Sequence, residues 1–397
     1  MLQTPGARSF FFGAAPGRAG VAMTSLAVVW LIHWTSGSFG AAGVVAGGLA
    51  AGEACGGPQV ARLIDRLGQT RILPFSLTVH GISAAAVLVL AINHCPLWTV
   101  TVAAVLAGVS IPQLGALTAA RWTWLLGDST LLSTAFALES LSNGLAYLVG
   151  PVVVAVVSTT FTPIAGPVVA AVMAIGGGCA LVVQRDTAPP PVGRPPTAVG
   201  AATLRRRGFA VLVVVNVCAG VYFASMQVSV TAFAIDRGAP GAAALLYSIS
   251  SGASLVAGLA YGLRRWHAGH STQLVRALAL FSVGCLPVLA VTTVPALAVA
   301  LLIPGLMIPP VLILAAVLTE ALVHRSVLTQ AFAWQASASA AGSAAAAAVA
   351  GQVVDALGPR WGFGLAFAAI TVAALTVGIL RTGLRPAGSE TVTSQLQ

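Results

Sequence analysis

Residues 41–92 read AAGVVAGGLAAGEACGGPQVA, RLIDRLGQTR and ILPFSLTVHGISAAAVLVLAI, which are two apolar runs on either side of a short polar break. A bilayer core about 30 Å thick needs roughly 20 apolar residues for each helical crossing, and both runs have that length. Lipid offers no hydrogen-bond partner to the backbone, so spanning segments are helices or closed barrels. Uniformly apolar rather than alternating runs favour the helix. The stretch therefore predicts two transmembrane helices joined by a tight turn.

Runs of this kind recur along nearly the whole chain. Of the 397 residues, 58% are hydrophobic and only 7% are charged, which leaves more apolar surface than a soluble domain can bury. We predict an all-α polytopic membrane protein with twelve transmembrane helices, six in each half of the chain. The predicted spans are 16–36, 41–61, 72–92, 97–119, 131–157, 162–184, 209–233, 241–263, 274–293, 295–318, 329–354 and 361–380.

The longest polar stretch, 185–208, contains five prolines and ends near three consecutive arginines, as expected of a linker. A short repeat agrees with a division there. GSFGAA at 37–42 precedes the second span, and GAPGAA at 238–243 precedes the eighth. We expect two pseudo-symmetric six-helix bundles, and the predicted parts of the chain are 1–184, the linker 185–208, 209–380 and the tail 381–397.

The charges predict the orientation in the membrane. All 19 basic residues are arginine, and only Arg237 and Arg360 fall outside the termini, the linker and every second loop. Arg18 is counted with the N-terminal segment, because it precedes the uninterrupted apolar run that starts at about Ala19. Because positive residues remain in the cytoplasm, both termini are predicted to be cytoplasmic. The net charge of +10 is thus explained by arginines that set the membrane orientation. Nucleic-acid binding would need a solvated basic domain. The absence of lysine and the Ala, Gly and Val bias indicate a GC-rich bacterium and its cytoplasmic (inner) membrane.

The loop at 61–71, ARLIDRLGQTR, resembles the signature loop of the major facilitator superfamily, roughly G-x-L-x-D-R-x-G-x-R/K-R/K. An alanine and a threonine replace one glycine and one basic residue of that pattern. At the corresponding place in the second half, 258–265 (GLAYGLRR) looks like a degenerate copy. The resemblance extends over all twelve helices and is to bacterial, actinobacterial-type permeases of exporter type. The intact Asp-Arg-x-Gly core consists of Asp65, Arg66 and Gly68.

The resemblance implies that this loop latches the cytoplasmic side when the transporter is open to the outside. A carboxylate at a helix end can bond to another helix's N-terminus or to an arginine of the other half, in one state only. The alternative is that these residues are ordinary topology-setting charges. The gating residues implied are Arg62, Asp65, Arg66, Gly68, Arg71 and Arg121.

Two carboxylates fall inside predicted spans, Glu53 in the second and Glu139 in the fifth. A charge exposed to lipid at that depth costs roughly 2.5–3.5 kcal/mol or more, so both should face the bundle interior or be protonated. Burial favours the neutral form of a carboxyl group, which suits a site that loads and unloads protons. Both are candidates for proton coupling. The alternative for each is a carboxyl group that is hydrogen-bonded to a neighbouring helix.

Polar residues within spans mark a substrate route. Glu139, Asn143 and Tyr147 stand at i, i+4 and i+8, so they form one stripe on the fifth helix. His33 lies close to the outer end of its span and is either a cavity residue or a solvated or packed histidine. The other candidates for the cavity are Trp30, Gln113, Asn216, Tyr222, Gln227, Trp334 and Gln335.

The sequence favours secondary active export of a small organic molecule by alternating access, with protons as the candidate coupling ion. Two departures from the family pattern leave proton coupling open. The fifth-helix motif of the family's exporters, G-x8-G-x3-G-P-x2-G-G, keeps its Gly-Pro pair at 150–151, but its other glycines are mostly replaced. The fourth span has no arginine at its middle, where many proton-driven drug exporters of the family have one. The alternative is an uptake permease or uniporter for a sugar or other nutrient, which would need more polar cavity residues. We find no zinc-protease, nucleophile-and-base or phosphate-loop motif, so no enzyme activity, metal or cofactor is predicted. The expected partners are the substrate, membrane lipid and protons, and the protein is expected to be a monomer.

Overall fold

The computed structural model describes residues 3–127, 131–191, 203–264, 266, 268–323 and 328–381. It does not describe the side chains of residues 65, 132–134, 136, 137, 140, 262, 263 and 328–330. The α-helices are α1 Ala7–Ser36, α2 Phe39–Leu67, α3 Gln69–Ile92, α4 Leu97–Val109, α5 Leu114–Leu126, α6 Leu131–Thr160, α7 Ala165–Val183, α8 Arg207–Asp236, α9 Ala242–Leu263, α10 His270–Cys285, α11 Val294–Ala300, α12 Leu302–Leu322, α13 Leu328–Leu357 and α14 Pro359–Ile379.

Within the described ranges, 12 helical stretches are long and apolar enough to cross a membrane, which is the predicted number. The fourth crossing consists of α4 and α5, separated by a break at 110–113. Pro112 in the break lacks a backbone N–H, so helical hydrogen bonds are lost there. On α3, Ser76 donates to the Ser110 carbonyl over 2.8 Å and His80 Nδ1 lies 2.9 Å from the Ala107 carbonyl oxygen. The break is therefore stabilised from outside its own helix. The tenth crossing likewise consists of α11 and α12.

The first helix differs from its prediction. It begins at Ala7 and not at residue 16, so Arg18 lies three turns inside it and is only 3% exposed. The predicted position of Arg18 in the N-terminal segment was wrong. The physical reason is that a carboxylate from α6 compensates the arginine's charge, which lets the helix carry it inside the bundle.

Among the described residues, the two halves of the chain share buried clusters at one face of the molecule. We call the face near Ala7 and Ile379 the inner face and the opposite one the outer face. Toward the inner face, each half has its own buried apolar cluster, with Phe10 and Leu181 in the first and Leu212 and Val377 in the second. Toward the outer face, two clusters mix residues of both halves. The two halves are thus joined through shared cores at the outer face.

The closest of these contacts is between α2 and α13. A Cβ placed on Gly43 would lie 2.1 Å from the Ala347 carbonyl oxygen, and one on Gly351 would lie 2.1 Å from that of Phe39. Small residues let two membrane helices approach until their backbones touch. We call this contact the outer seam, and its residues are Gly40, Gly43, Gly47, Ala344, Ala347 and Gly351.

Candidate functional site

One face of α6 is packed at its outer part and exposed nearer the inner face. Asn143 stands seven residues before Gly150, and Tyr147 stands seven before Val154. Seven residues are about two helical turns, so the four share a face. Val154 is fully buried in a cluster shared by both halves, and a Cβ on Gly150 would lie 3.2 Å from Met23 Cγ on α1. Tyr147, however, is 58% exposed, and Asn143 is exposed as well. The opposite face of α6 is also exposed, at Leu141, Leu145 and Val149. For a helix of a membrane bundle, exposure on two opposite faces is what lipid on one side and a cavity on the other would produce.

Glu53 on α2 lies near the exposed face of α6 that contains Tyr147. The Gln113 side-chain amide, at the break between α4 and α5, donates to Glu53 Oε1 over 3.4 Å. Glu53 also lies within electrostatic range of the Tyr147 hydroxyl on α6. None of the described arginines forms an ion pair with Glu53. Gln113 and Tyr147 therefore lie near Glu53, and Asn143 stands one turn before Tyr147 on the same face of α6. We call the space beside these four side chains the cavity. Among the described residues, Glu53 has a single hydrogen bond, and it is long.

Glu139 has a different environment, although it is on the same helix stripe. Arg18 forms an ion pair with its Oε2 atom, which the Thr118 hydroxyl also reaches at 2.9 Å. The indole N–H of Trp122 donates to Oε1 over 2.7 Å. Glu139 is 7% exposed, and the Phe11 ring lies 5.5 Å from the Arg18 guanidinium carbon. Both carboxylate oxygens are thus satisfied, and we call Arg18, Thr118, Trp122 and Glu139 the charge cluster.

The charge cluster includes the residue that the sequence reasoning missed. Arg18 and Glu139 are separated by 121 residues, and Trp122 lies on a third element. The only available signal was the arginine close to a predicted helix start, which is equally typical of a topology-setting charge. A burial pattern read from one helix cannot show which charge on another helix compensates it.

Arg121, predicted as a gating residue, lies inside the first half. It is 1% exposed and donates to the carbonyl oxygens of Leu181 at 2.8 Å and Gln184 at 2.9 Å, and to Thr187 Oγ1 at 2.7 Å. Its Nε atom donates to Gln69 Oε1 over 3.1 Å. These contacts satisfy carbonyls at the C-terminal end of α7, where a cation is favoured by the helix dipole. The observed contacts of Arg121 therefore tie the start of 185–191 to its own half.

Replacing Arg121 by lysine should destabilise the protein by about 1–3 kcal/mol, because an ammonium group cannot reach the same set of oxygens. Thermal unfolding of the purified protein measures this, with Arg62→Lys as the control because Arg62 is exposed. Equal melting temperatures for Arg121→Lys and the parent would contradict the role in packing.

The signature loop joins α2 to α3. Gly68 has a φ of 91°, a left-handed value that favours glycine. The side chains of Arg62, Arg66 and Arg71 are exposed. Asp65 is helical, but its side chain lies outside the described part of the structure. The gating role of this loop stays a prediction.

Several predicted cavity residues pack elsewhere. Trp30 is 6% exposed in a cluster at the outer face, and Tyr222 is 2% exposed in the core of the second half. Gln335 is buried and donates to Thr319 on α12. His33 stacks on Phe39, with ring centroids 3.8 Å apart. For these residues a packing role follows from their contacts.

The remaining candidates differ from one another. Asn216 bonds to the Leu212 carbonyl of its own helix over 2.9 Å. Gln227 on α8 accepts a hydrogen bond from Ser25 on α1 over 3.1 Å, so it joins the two halves. Trp334 is 53% exposed and, by helical geometry, points away from the sides of α13 that contact α2 and α8. The cavity side chains that the structure groups together are therefore those of the first half.

Comparison with solved structures identifies the fold. The human organic anion transporter MFSD10 (TETRAN) is 13% identical with a TM-score of 0.67, and the match covers 94% of this chain and 100% of that one. An auto-inhibited POT family peptide transporter is 10% identical with a TM-score of 0.72, covering 95% of this chain and 96% of that one. The nucleoside transporter NupG is 12% identical with a TM-score of 0.71, covering 94% and 99%.

These matches confirm the predicted fold class: the chain has the twelve-helix, two-bundle fold of the major facilitator transporters. The sequence matches no protein-family model and no curated protein. Because the identities are low, the similarity establishes the fold and leaves the cargo to the chemistry of the cavity.

Proposed function

We propose that the protein is a secondary transporter, acting as a monomer, that exports a small organic molecule across the bacterial cytoplasmic membrane by alternating access in exchange for protons. The observation that carries this proposal is the face of α6, which is packed at Val154 and open at Tyr147. Such a face suits a cavity that is open to one side of the membrane only. With both termini and the arginine-rich loops in the cytoplasm, this is the inward-open state.

Alternating access assigns a role to each part of the chain. The bundles 1–184 and 209–380 would rock as two bodies around the cavity, joined by the linker 185–208. The shared clusters at the outer face would separate in the other state, and the separate clusters at the inner face would approach one another. The sequence has no nucleotide-binding motif, so transport would draw its energy from an ion gradient or from the cargo's own gradient, and we propose the proton gradient.

Glu53 is the better candidate for the proton carrier. A proton site has to be reached by water or substrate and must exist in both protonation states. Glu53 meets this requirement, because it adjoins the cavity and, among the described residues, is bonded by Gln113 alone, over 3.4 Å. Glu139 is instead buried and bonded through both oxygens to Arg18, Thr118 and Trp122. We assign Glu139 the role of holding α1, α5 and α6 together.

Export is favoured over nutrient uptake by the small number of polar groups around the cavity. A site for a sugar needs many hydrogen-bonding side chains because each unpaired hydroxyl would be costly to bury. The grouped residues offer one carboxylate, two amides and one phenol. These suit a mostly apolar molecule with few polar groups.

Replacing Glu53 by glutamine should abolish pH-driven accumulation while leaving downhill exchange of the same compound. The measurement is flux in proteoliposomes with an imposed pH gradient, using a panel of apolar fluorescent drugs. Glu320→Gln is the matched control, because Glu320 lies on α12 and is exposed. Parent-like accumulation by Glu53→Gln would eliminate proton coupling through Glu53, and flux independent of pH in the parent would indicate a uniporter.

A further inference from the structure

The carboxylate of Asp355, near the C-terminal end of α13, caps the N-terminus of α2. It accepts hydrogen bonds from the Ser38 hydroxyl at 2.6 Å, the Phe39 N–H at 2.9 Å and the Gly40 N–H at 2.6 Å. All three bonds join the second half of the chain to the first. Asp355 thus makes the same kind of contact as a helix cap, but from more than 300 residues away in sequence.

The N-terminus of α2 favours a carboxylate partner of this kind. The first backbone N–H groups of a helix lack acceptors within it, and the helix dipole favours a negative charge there. The first turn of α2 contains no acidic residue, and the side chain of its own cap, Ser38, accepts from the Ala41 N–H at 3.1 Å. Asp355 therefore supplies the missing charge and two of the missing acceptor bonds.

This contact lies at the outer end of the outer seam. One turn further in, Gly351 abuts the backbone at Phe39, and Gly43 abuts that at Ala347. The antiparallel backbones of α2 and α13 can stay this close only while the two helices remain adjacent. A motion that opens the outer face must separate α2 from α13, and it must break all three bonds of Asp355 together.

We propose that Asp355 and the N-terminus of α2 form an outer latch, which holds the outer face closed in the inward-open state and is released when that face opens. The proposal rests on the alternating access proposed above. Charge-assisted bonds of a carboxylate to backbone N–H groups are among the stronger hydrogen bonds in proteins, so their loss shifts the balance between the two states.

The test is the labelling rate of a single cysteine, Ala347→Cys, by a membrane-impermeant maleimide added at the outer side of vesicles. The five native cysteines are replaced first. Ala347 is 4% exposed in the closed seam, so labelling reports opening. Asp355→Asn should raise the rate about tenfold, because a neutral amide binds the helix N-terminus less strongly. Asp236→Asn, at the exposed outer end of α8, is the matched control and should leave the rate unchanged.

Two further variants separate the possible failures. Ser38→Ala removes one of the three bonds, together with the bond that Ser38 accepts from the Ala41 N–H, and changes no residue of the seam. It should raise the labelling rate less than Asp355→Asn does. Gly43→Leu forces the seam apart directly and does not depend on the latch. If Gly43→Leu opens the seam but Asp355→Asn and Ser38→Ala do not, the latch is wrong and alternating access stands. If none of the three opens it, both proposals are wrong.

Discussion

Arg18→Met should destabilise the protein by about 3–5 kcal/mol, because it leaves the buried Glu139 without its opposite charge. Arg18 and Glu139 are 3% and 7% exposed, so water cannot replace the lost partner. The double variant Arg18→Met, Glu139→Gln should recover most of this loss. Glutamine keeps an acceptor for Trp122 and carries no charge.

Thermal unfolding of the detergent-purified protein measures this double-mutant cycle. Arg62→Met is the control, because Arg62 is exposed and, among the described side chains, donates to Gln59 on its own helix, at 3.1 Å. Its melting temperature should equal that of the parent. Losses for Arg18→Met and Glu139→Gln that simply add in the double variant would show that the two residues are not coupled, and the charge cluster would lose its structural role.

Gly43→Leu should shift the conformation of the protein, whereas Gly108→Leu should prevent folding, although both glycines lie against the backbone of a neighbouring helix. A Cβ on Gly43 would lie 2.1 Å from the Ala347 carbonyl oxygen, and one on Gly108 would lie 1.9 Å from that of Leu49. Gly43 faces the other half, so the clash is relieved when the halves separate at the outer face. Gly108 packs α4 against α2 of the same half, where no such motion relieves it.

We therefore expect Gly43→Leu to remain folded with its outer face open, and Gly108→Leu to lose most of the folded protein. Size-exclusion profiles and melting temperatures measure folding, and labelling of Ala347→Cys measures opening. Backbone overlap of this size costs several kcal/mol when the helices cannot move apart, which few domains can absorb. A folded Gly108→Leu, or an unfolded Gly43→Leu, would contradict this division of the interfaces.

The fold could be predicted from the sequence because its main signal is local. Apolar runs of membrane length give the number of helices, and the structure has that number. The orientation read from the arginine pattern stays a prediction. The chain also indicated that Glu53 and Gln113 would be intramembrane, and the structure brings them together. The ends of helices were less predictable, as the start of α1 at Ala7 illustrates.

The side-chain partnerships could not be predicted in the same way. Arg18 finds Glu139 only because α1 packs against α6, and Asp355 finds the start of α2 only because the two halves meet there. Tyr222 and Tyr147 are both polar aromatics within spans, yet one is 2% exposed in a core and the other is 58% exposed. Their difference comes from where neighbouring helices diverge, which depends on the packing of the entire molecule and not on local spacing.

Alternating access is tested most directly by distances between spin labels on α6 and α9, measured at both ends of these helices by double electron–electron resonance. Labels at Phe161, the residue directly after α6, and at Leu245 report the outer face, and labels at Leu131 and Leu259 report the inner face. All four side chains are exposed. The perturbation is Gly43→Leu, which lies at the α2–α13 contact and touches neither α6 nor α9. If the halves rock as two bodies, the outer distance should increase and the inner distance should decrease. An outer distance that increases while the inner one stays the same or also increases would contradict rocking.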